Sequence, residues 1–416
     1  MITLAATDDY RHNLKPGEHE ALYLAQHFYP GRPDDTQPLP ALERGRHRVG
    51  RGDLARRHRR AGERSACRRR CSGSHAPPPQ RATVARAWRY GYCGGPGVKT
   101  ILFTPWKEEG DEERPIPAVD LLGGKGYGLY WLAANRFPVP PTWVLSTTAF
   151  DMVVQRAKLT KAIAEIGKVL DGLTDDWAMV QHTMEALEPQ RVEVAQALRH
   201  ATMPDRVGAY LSDLPLAVEQ WAVRSSATVE DNPRHTFAGQ FLSLLSVPKG
   251  LALWDAIRQV WSSSFGREAL SYCTQHKAPL PHMAVALQPM APITAEDHSG
   301  VAFSHSPVDA LPGVLIQAAP GTGQVVVGGY GGDIYSVQGE QVQVQPMPPS
   351  EIRVTGPEGY TAPQPPPAGL ALTQEEARAL ARLVLAVAER WGGQINVEFI
   401  WRKGEEPTLV QVRSAR

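Results

Sequence analysis

The stretch WAVRSSATVED, Trp221 to Asp231, places one arginine between an apolar run and several small hydroxyl residues. The residues from Trp221 to Val223 predict a short buried strand. A strand that ends in Arg-Ser-Ser brings a guanidinium group together with hydroxyl and backbone N–H donors, which is a combination suited to phosphate. The same residues also fit an arginine that closes a surface ion pair beside an ordinary turn, so this stretch alone leaves both interpretations open.

A glycine-rich segment earlier in the chain carries a second candidate cation. In GGKGYGL, Gly123 to Leu129, the first two glycines permit a tight turn, Lys125 stands on that turn, and a short helix follows. The free N–H groups and the positive dipole end of such a helix attract an anion, to which the lysine adds a mobile charge. A plain turn is the alternative, because the segment lacks the full spacing of a phosphate-binding loop.

The chain from residue 100 onward is predicted to be an α+β body with mixed sheets. Residues 150–215 indicate a helical spacer, and Thr373 to Glu376 indicate a capping box at the start of a helix. The stretches INVEFIW and TLVQVRSAR indicate two closing strands. We place a first lobe at residues 100–240 and a second lobe, with the closing strands, at residues 241–416.

The overall composition indicates a soluble globular protein of two or three domains. The chain has 416 residues, of which 42% are hydrophobic, and its four cysteines are too few for a disulfide framework. No apolar run reaches the roughly 18 residues of a membrane span, and the N-terminus lacks the pattern of a secretory signal. We therefore expect a cytoplasmic protein without a membrane partner.

Residues 1–99 differ from this body in charge and composition. Positions 44–70 hold twelve arginines and two acids, and no Phe, Trp or Tyr occurs from Pro30 to Ala87, so we expect an Arg-rich segment of low order. Such a segment could bind RNA or DNA through its charge. Arginine without lysine is also what a GC-rich gene yields from a misplaced start. We favour this second interpretation and do not expect nucleic acid to be a main partner.

Six motifs occur in the order and at about the spacing found in one known family. They are GGKGYGL, PVPPTWVLSTTAF, WAVRSSATVEDNPRHTFAGQ, MAVALQPM, SGVAFSHSPV and INVEFIWRKGEEPTLVQVRSAR. Through these motifs, residues 103–416 resemble the ATP-binding half of the phosphoenolpyruvate synthase and pyruvate phosphate dikinase family. The resemblance implies an ATP-grasp fold, in which two α+β lobes close over the nucleotide. It also implies transfer of the β-phosphoryl group of ATP to a histidine on a separate swivelling domain.

The resemblance assigns roles at the ATP phosphates. Lys125 and Arg224 fall on the two family cations that grip the phosphates and support catalysis, since developing phosphoryl charge needs fixed cations. The loop from Asn232 to Gln240 resembles the lid over the triphosphate. Within that loop, Gly239 permits a close approach to the phosphates.

The resemblance also assigns residues to adenine and to magnesium. Gln288 and Met290 fall on the strand and hinge of the adenine slot, and plain core packing is the alternative for Met290. Glu398 falls on the magnesium-binding glutamate of the family. Gln411 falls on the glutamine that reaches metal and phosphate, and Arg413 on an arginine that reaches a phosphate.

Two single residues and one five-residue motif depart from the family pattern. Asn396 stands where the family has an aspartate, and Gln324, at the end of PGTGQ, stands where it has a glutamate. Residues Phe303 to Pro307 are FSHSP where the family has FTxNP. The two lost acids raise the alternative that the chain holds a nucleotide without turnover.

The sequence therefore supports two hypotheses of function. The first is an ATP-dependent and Mg²⁺-dependent phosphotransferase that donates a phosphoryl group to a separate phosphohistidine-domain protein, because no motif of that domain follows in the sequence. The second is a degenerate or truncated ATP-binding module. Asn396 and Gln324 are the positions that discriminate between them.

Overall fold

Two antiparallel sheets and the helices around them make up the part of the chain that the computed structural model describes. These residues are 101–104, 116–172, 177–215, 217–230, 240–290, 292–308, 310–356, 359–360 and 363–415. The Arg-rich segment predicted at residues 1–99 lies outside the described residues. The predicted lid residues from Asn232 to Gly239 lie outside them as well.

The first sheet has five strands in the order β1-β2-β5-β3-β4. Its strands are Leu102–Phe103 (β1), Trp143–Leu145 (β2), Gln220–Ala227 (β3), Ser243–Pro248 (β4) and Met283–Pro289 (β5). One face packs on a large apolar core, in which the rings of Trp143 and Trp221 meet edge to face with centroids 5.4 Å apart. This geometry is favourable for aromatic pairs and fixes β2 against β3.

Seven helices and one short 3₁₀ helix (Ser263–Phe265) accompany the first sheet in the described residues. The helices are Val119–Ala134 (α1), Thr147–Arg156 (α2), Thr160–Asp171 (α3), Trp177–Arg199 (α4), Asp205–Ser212 (α5), Leu251–Ser262 (α6) and Arg267–His276 (α7). The predicted helical spacer at residues 150–215 corresponds to α2 through α5. Within the described residues, no helix is both long and apolar enough to cross a membrane.

The second sheet has six strands in the order β13-β12-β6-β7-β8-β9. Its strands are His298–Phe303 (β6), Val314–Pro320 (β7), Asp333–Gln338 (β8), Gln341–Gln345 (β9), Ile395–Trp401 (β12) and Thr408–Ser414 (β13), and a separate pair consists of Thr355–Gly356 (β10) and Gly359–Tyr360 (β11). A four-residue helix, Gln324–Val327 (α8), follows β7. These bounds confirm the two predicted closing strands.

Helix α9, Gln374–Trp391, covers one face of the second sheet through buried residues such as Leu380 and Val384. The predicted capping box is confirmed at its start. The Thr373 hydroxyl accepts from the Glu376 N–H at 3.2 Å, and the Glu376 carboxylate accepts from the Thr373 N–H at 2.8 Å. With α9 on one face, the other face of β12 and β13 remains for polar residues.

The strand pairing corrects part of the sequence-based description. Helices and sheets occur together as predicted, but every strand pairing in the described residues is antiparallel, so the prediction of mixed sheets is wrong. The first sheet also takes in β4 and β5, which follow residue 240. The sheets therefore divide between Pro289 and His298 and not at the predicted lobe boundary of 240/241.

Helix α1 bends at Gly123, where the backbone leaves the helical region with φ 68° and ψ 173°. The predicted glycine turn is thus a kink within a helix that starts earlier, at Val119. Ser226, near the end of β3, binds both sides of this kink. Its hydroxyl donates to the Leu122 carbonyl at 2.6 Å and accepts from the Gly126 N–H at 2.8 Å. One N–H that the sequence left free for an anion is therefore already bonded.

Candidate functional site

Arg224 of β3 reaches from the first sheet to the second. Its Nη1 donates to the Val410 carbonyl at 2.6 Å, and its Nη2 donates to Glu398 Oε2 at 3.1 Å and to Gln411 Oε1 at 3.2 Å. Only 13% of the Arg224 side chain is exposed. The structure therefore brings three predicted site residues into direct contact: the phosphate arginine, the metal glutamate and the glutamine.

A β-bulge explains why these groups converge. Glu398 of β12 lies directly opposite Gln411 of β13, but the next paired residue after Glu398 is Phe399 opposite Leu409. Val410 therefore has no partner on β12, and its carbonyl is available to accept from Arg224. Bulges re-aim side chains and interrupt pairing near functional sites, and here the bulge supplies the third acceptor for one guanidinium group.

Asn396 and Arg413 extend the same polar face. Residues two apart on a strand share a face, so Asn396 lies beside Glu398 and Arg413 lies beside Gln411. Arg413 Nε donates to Asn396 Oδ1 at 2.7 Å, and both side chains are buried. The amide at position 396 thus accepts a hydrogen bond from this arginine and is itself uncharged.

Lys125 binds Glu230, an acid near the end of the stretch WAVRSSATVED. Lys125 Nζ lies 2.8 Å from Glu230 Oε1, and both side chains are almost fully buried. The Glu230 carboxylate also accepts from the Ala227 N–H at 2.8 Å and from the Ser225 hydroxyl at 3.3 Å. The glycine kink and the end of β3 therefore place the predicted phosphate lysine against the strand that carries Arg224.

Gln288 shares a sheet face with Arg224. Gln288 lies opposite Ala222 on β3 and Ala286 lies opposite Arg224, so both polar side chains leave the sheet on one side. Gln288 is buried and its Nε2 donates to Thr142 Oγ1 at 3.0 Å. The next predicted adenine residue, Met290, uses its N–H to bond the Gln220 carbonyl at 2.9 Å. Gln288 thus bonds the residue just before β2, and Met290 bonds the first residue of β3.

The remaining predicted positions lie at the edges of this site. Gln240, the last residue of the predicted lid, is half-buried just before β4, whereas Gly239 lies outside the described residues. Gln324 begins α8 with an exposed side chain. In FSHSP, the Ser304 hydroxyl accepts from the Ile395 N–H at 2.9 Å and so fixes the start of β12.

The electrostatics of the site follow from these contacts. Two carboxylates, Glu230 and Glu398, each bind one cation, and Arg413 adds a third cation that has a neutral amide partner. A phosphate-bearing ligand would therefore meet cations whose positions are already fixed by these oxygen partners. Among the described residues, no group of three or more His, Cys, Asp or Glu is placed to hold a metal ion.

Sequence reasoning did not single out Glu230 or Ser226. Both lie inside WAVRSSATVED, where Ser226 and Glu230 look like ordinary turn residues. Their partners are about a hundred residues away, with Lys125–Glu230 separated by 105 positions and Gly126–Ser226 by 100. The sequence held one signal, the presence of the glycine-rich motif GGKGYGL and the serine-containing motif WAVRSSATVED in the same chain. Glycines permit close approach of another backbone segment, but which segment approaches is known only once the strands are paired.

Cations and oxygen acceptors from the two sheets converge at Arg224, and the chain matches one protein family over the same residues. The family model described as "Pyruvate phosphate dikinase, AMP/ATP-binding domain" matches residues 119–416. The chain belongs to this family. The match covers every described residue of the site discussed above and confirms the resemblance seen in the six motifs.

Similar curated proteins have one common description. A "Probable phosphoenolpyruvate synthase" of Methanothermobacter thermautotrophicus is 26% identical over 246 residues, which are 57% of this chain and 34% of that protein. A "Probable phosphoenolpyruvate synthase" of Methanocaldococcus jannaschii is 27% identical over 324 residues, 74% of this chain and 26% of that protein. The "Phosphoenolpyruvate synthase" of Aeropyrum pernix is 31% identical over 220 residues, 50% of this chain and 26% of that protein. The chain thus spans about a third or less of each relative.

Proposed function

We propose that this chain binds ATP with Mg²⁺ in an ATP-grasp arrangement and donates a phosphoryl group in trans to a phosphohistidine domain. The observation that carries the proposal is the contact of Arg224, from the first sheet, with Glu398 and Gln411, from the second. A cation from one sheet thus meets oxygen acceptors from the other, and this combination of groups suits a triphosphate with its metal ion. The family membership supports ATP as the ligand.

The cations of the site would hold the phosphate chain. Arg224 offers a planar fork of donors, which fixes the orientation of a phosphate group as well as its charge. Lys125 adds a compact charge from the kink of α1, and Arg413 adds one from β13. Phosphoryl transfer depends mainly on such positioning and on stabilisation of the developing charge.

The ligands for a magnesium ion are Glu398 and Gln411. Their carboxylate and amide oxygens lie at paired positions on adjacent strands, 3.1 Å and 3.2 Å from the same Arg224 nitrogen. Magnesium prefers hard oxygen ligands and is commonly held by one or two carboxylates together with substrate phosphates, so these residues fit the ion. When bound, the ion would neutralise phosphate charge. Arg224 would then exchange its carboxylate partner for a phosphate.

Glu398→Gln is expected to change ATP affinity in opposite directions with and without metal. Without Mg²⁺, loss of the carboxylate frees Arg224 for phosphate and should tighten ATP binding. With Mg²⁺, loss of the charged ligand should weaken ATP binding. Each change should be about tenfold, because one charge-assisted contact is gained in the first case and lost in the second. Calorimetric titration of ATP in EDTA and in Mg²⁺ measures both values. Glu296→Gln, at an exposed ion pair with Lys403, is the matched control, and a shift of the same sign in both buffers would contradict the exchange.

A transfer assay tests the proposed function directly. The chain is incubated with ATP labelled in the β-phosphate, Mg²⁺ and the separately purified phosphohistidine domain of a phosphoenolpyruvate synthase. We expect AMP and phosphate to be released and the label to appear on histidine. ATP binding without transfer to any such domain would refute the donor role and leave the second function, a nucleotide-holding module.

One observation favours that second function. Asn396 gives Arg413 a neutral partner where the family has an aspartate, so one negative charge is absent next to Glu398. A metal site with one carboxylate must rely on nucleotide oxygens and water for its other ligands.

Asn396→Asp is therefore expected to tighten Mg²⁺ binding in the ATP complex by about tenfold, which corresponds to about 1.4 kcal/mol. The added carboxylate also keeps the acceptor for Arg413, so the fold should not change. Titration of Mg²⁺ into the ATP complex measures the effect. Asn135→Asp, at the C-terminal end of α1 where the side-chain oxygen accepts from Arg390 Nε at 2.8 Å, is the control. No change relative to that control would mean that position 396 does not face the metal.

A further inference from the structure

The Glu230 carboxylate is enclosed by donors from two parts of the chain. Its Oε1 binds Lys125 Nζ at 2.8 Å and the Ser225 hydroxyl at 3.3 Å, and its Oε2 accepts from the Ala227 N–H at 2.8 Å. The residue is only 5% exposed. A buried carboxylate with three donors has a fixed position. A lysine normally moves freely on its four-carbon stem, and here it is held by that carboxylate.

We propose that Glu230 is a positioning residue of the phosphate site, which holds the Lys125 ammonium group beside Arg224 so that both cations face one phosphate chain. The inference rests on the proposed ATP-binding function. An ammonium group has three donors, so one bond to Glu230 leaves two for phosphate oxygens. Because Glu230 is tied to the N–H of Ala227 on β3, it fixes the lysine relative to the strand that carries Arg224.

The contrast with a surface ion pair supports this role. Lys161 and Glu165 lie one helical turn apart on α3, 3.8 Å from each other, with side chains 90% and 50% exposed. Such pairs contribute little and leave both side chains mobile. The Lys125–Glu230 pair is buried, spans 105 positions and ends on a backbone N–H group, so it constrains where the lysine can lie.

The direction in which ATP affinity changes when Glu230 is replaced distinguishes positioning of Lys125 from simple neutralisation of its charge. If Glu230 only neutralised Lys125, its removal would strengthen the attraction for a polyanion, and ATP would bind more tightly. If Glu230 positions Lys125, its removal lets the ammonium group leave the site, and ATP binds more weakly. Adenosine, which has no phosphate, should respond to neither change.

Glu230→Gln is the test because an amide has one acceptor oxygen, whereas the carboxylate now accepts from three donors through two oxygens. The Ala227 N–H cannot move, so the amide oxygen should stay with it and the NH₂ group should turn toward Lys125 and displace it. We expect ATP affinity to fall by about tenfold, as for the loss of one charge-assisted contact. Adenosine affinity, measured by competition against a fluorescent ATP analogue, should not change.

A double-substitution cycle completes the experiment. In a Lys125→Met background, Glu230→Gln should have no further effect on ATP affinity, because the lysine through which it acts is gone. Glu165→Gln is the control for loss of an ion-paired glutamate. Tighter or unchanged ATP binding, an equal loss for adenosine, or additive effects in the cycle would each overturn the inference.

Three other outcomes of these binding experiments also have a clear meaning. If Glu230→Gln does not fold, Glu230→Asp takes its place, since the shorter carboxylate cannot reach both the Ala227 N–H and Lys125 and should give the same pattern. If the unsubstituted chain does not bind ATP, the proposed function fails together with this inference. If it binds ATP and the Glu230 variants bind it equally well, only the positioning role fails.

Discussion

Gly123→Ala is expected to lower the free energy of unfolding by about 3 kcal/mol or more, from backbone strain together with overpacking. The φ of 68° at Gly123 is one that side-chain-bearing residues rarely adopt, and an added Cβ would lie 1.9 Å from the Ser226 carbonyl oxygen. That oxygen belongs to the backbone of β3 and cannot move without breaking the pairing of the strand. Chemical denaturation followed by circular dichroism measures the loss.

The control for this substitution is Gly393→Ala. At that position an added Cβ meets no atom within 4 Å and φ is not positive, so stability should change by only about 0.5 kcal/mol. A Gly123→Ala variant as stable as this control would show that the kink can relax away from Ser226. ATP affinity should fall with stability at Gly123, because the kink also places Lys125.

Residue types alone pointed to Lys125 and Arg224 as candidate cations, but they did not predict the partners that these cations have in the structure. A lysine on a glycine turn and an arginine before Ser-Ser each suit an anion, and the motif resemblance assigned Lys125 and Arg224 together. Neither signal contains the partner of either residue. Glu230 and Glu398 lie 105 and 174 positions away from the cations that they bind, and only the folded chain brings such pairs together.

The position of the predicted lobe boundary also shows that local sequence patterns do not reveal which distant segments pair. Strand β3 pairs along its length with β5, from Trp221 opposite Pro289 to Ala227 opposite Met283. Between them in sequence lie β4 and two helices, α6 and α7, so the boundary placed after Gln240 cut through one sheet. Local patterns predicted the strands, whereas their order in the sheet depends on pairing across long separations.

The β-bulge at Val410 was also beyond prediction. The alternation in TLVQVRSAR predicts a regular strand, but the register shifts between Glu398 and Phe399. The shift frees the Val410 carbonyl, which takes the shortest of the hydrogen bonds from Arg224. The motifs predicted Arg224, Glu398 and Gln411 as candidate residues, and the bulge determines how these residues meet.

Arg224→Ala is expected to weaken ATP binding by about 1.5–3 kcal/mol, the usual range for a charge-assisted contact. The stability of the free chain should fall as well, because Arg224 also joins the two sheets through Val410, Glu398 and Gln411. Calorimetric titration of ATP, together with denaturation of the free chain, therefore has to separate a loss of binding from a loss of stability.

Glu398→Gln in the Arg224→Ala background distinguishes a loss of ATP binding from a loss of stability. Arg224→Ala alone leaves the mostly buried Glu398 carboxylate without its cation, which should cost about 1–3 kcal/mol of stability. Removing the charge at position 398 as well should recover much of that stability, since a neutral amide tolerates the site without a cation. It should not recover ATP affinity, because the guanidinium group that binds phosphate is still absent. Recovery of both would mean that Arg224 acts only as a structural link between the sheets, whereas recovery of stability alone supports a direct role at the phosphates.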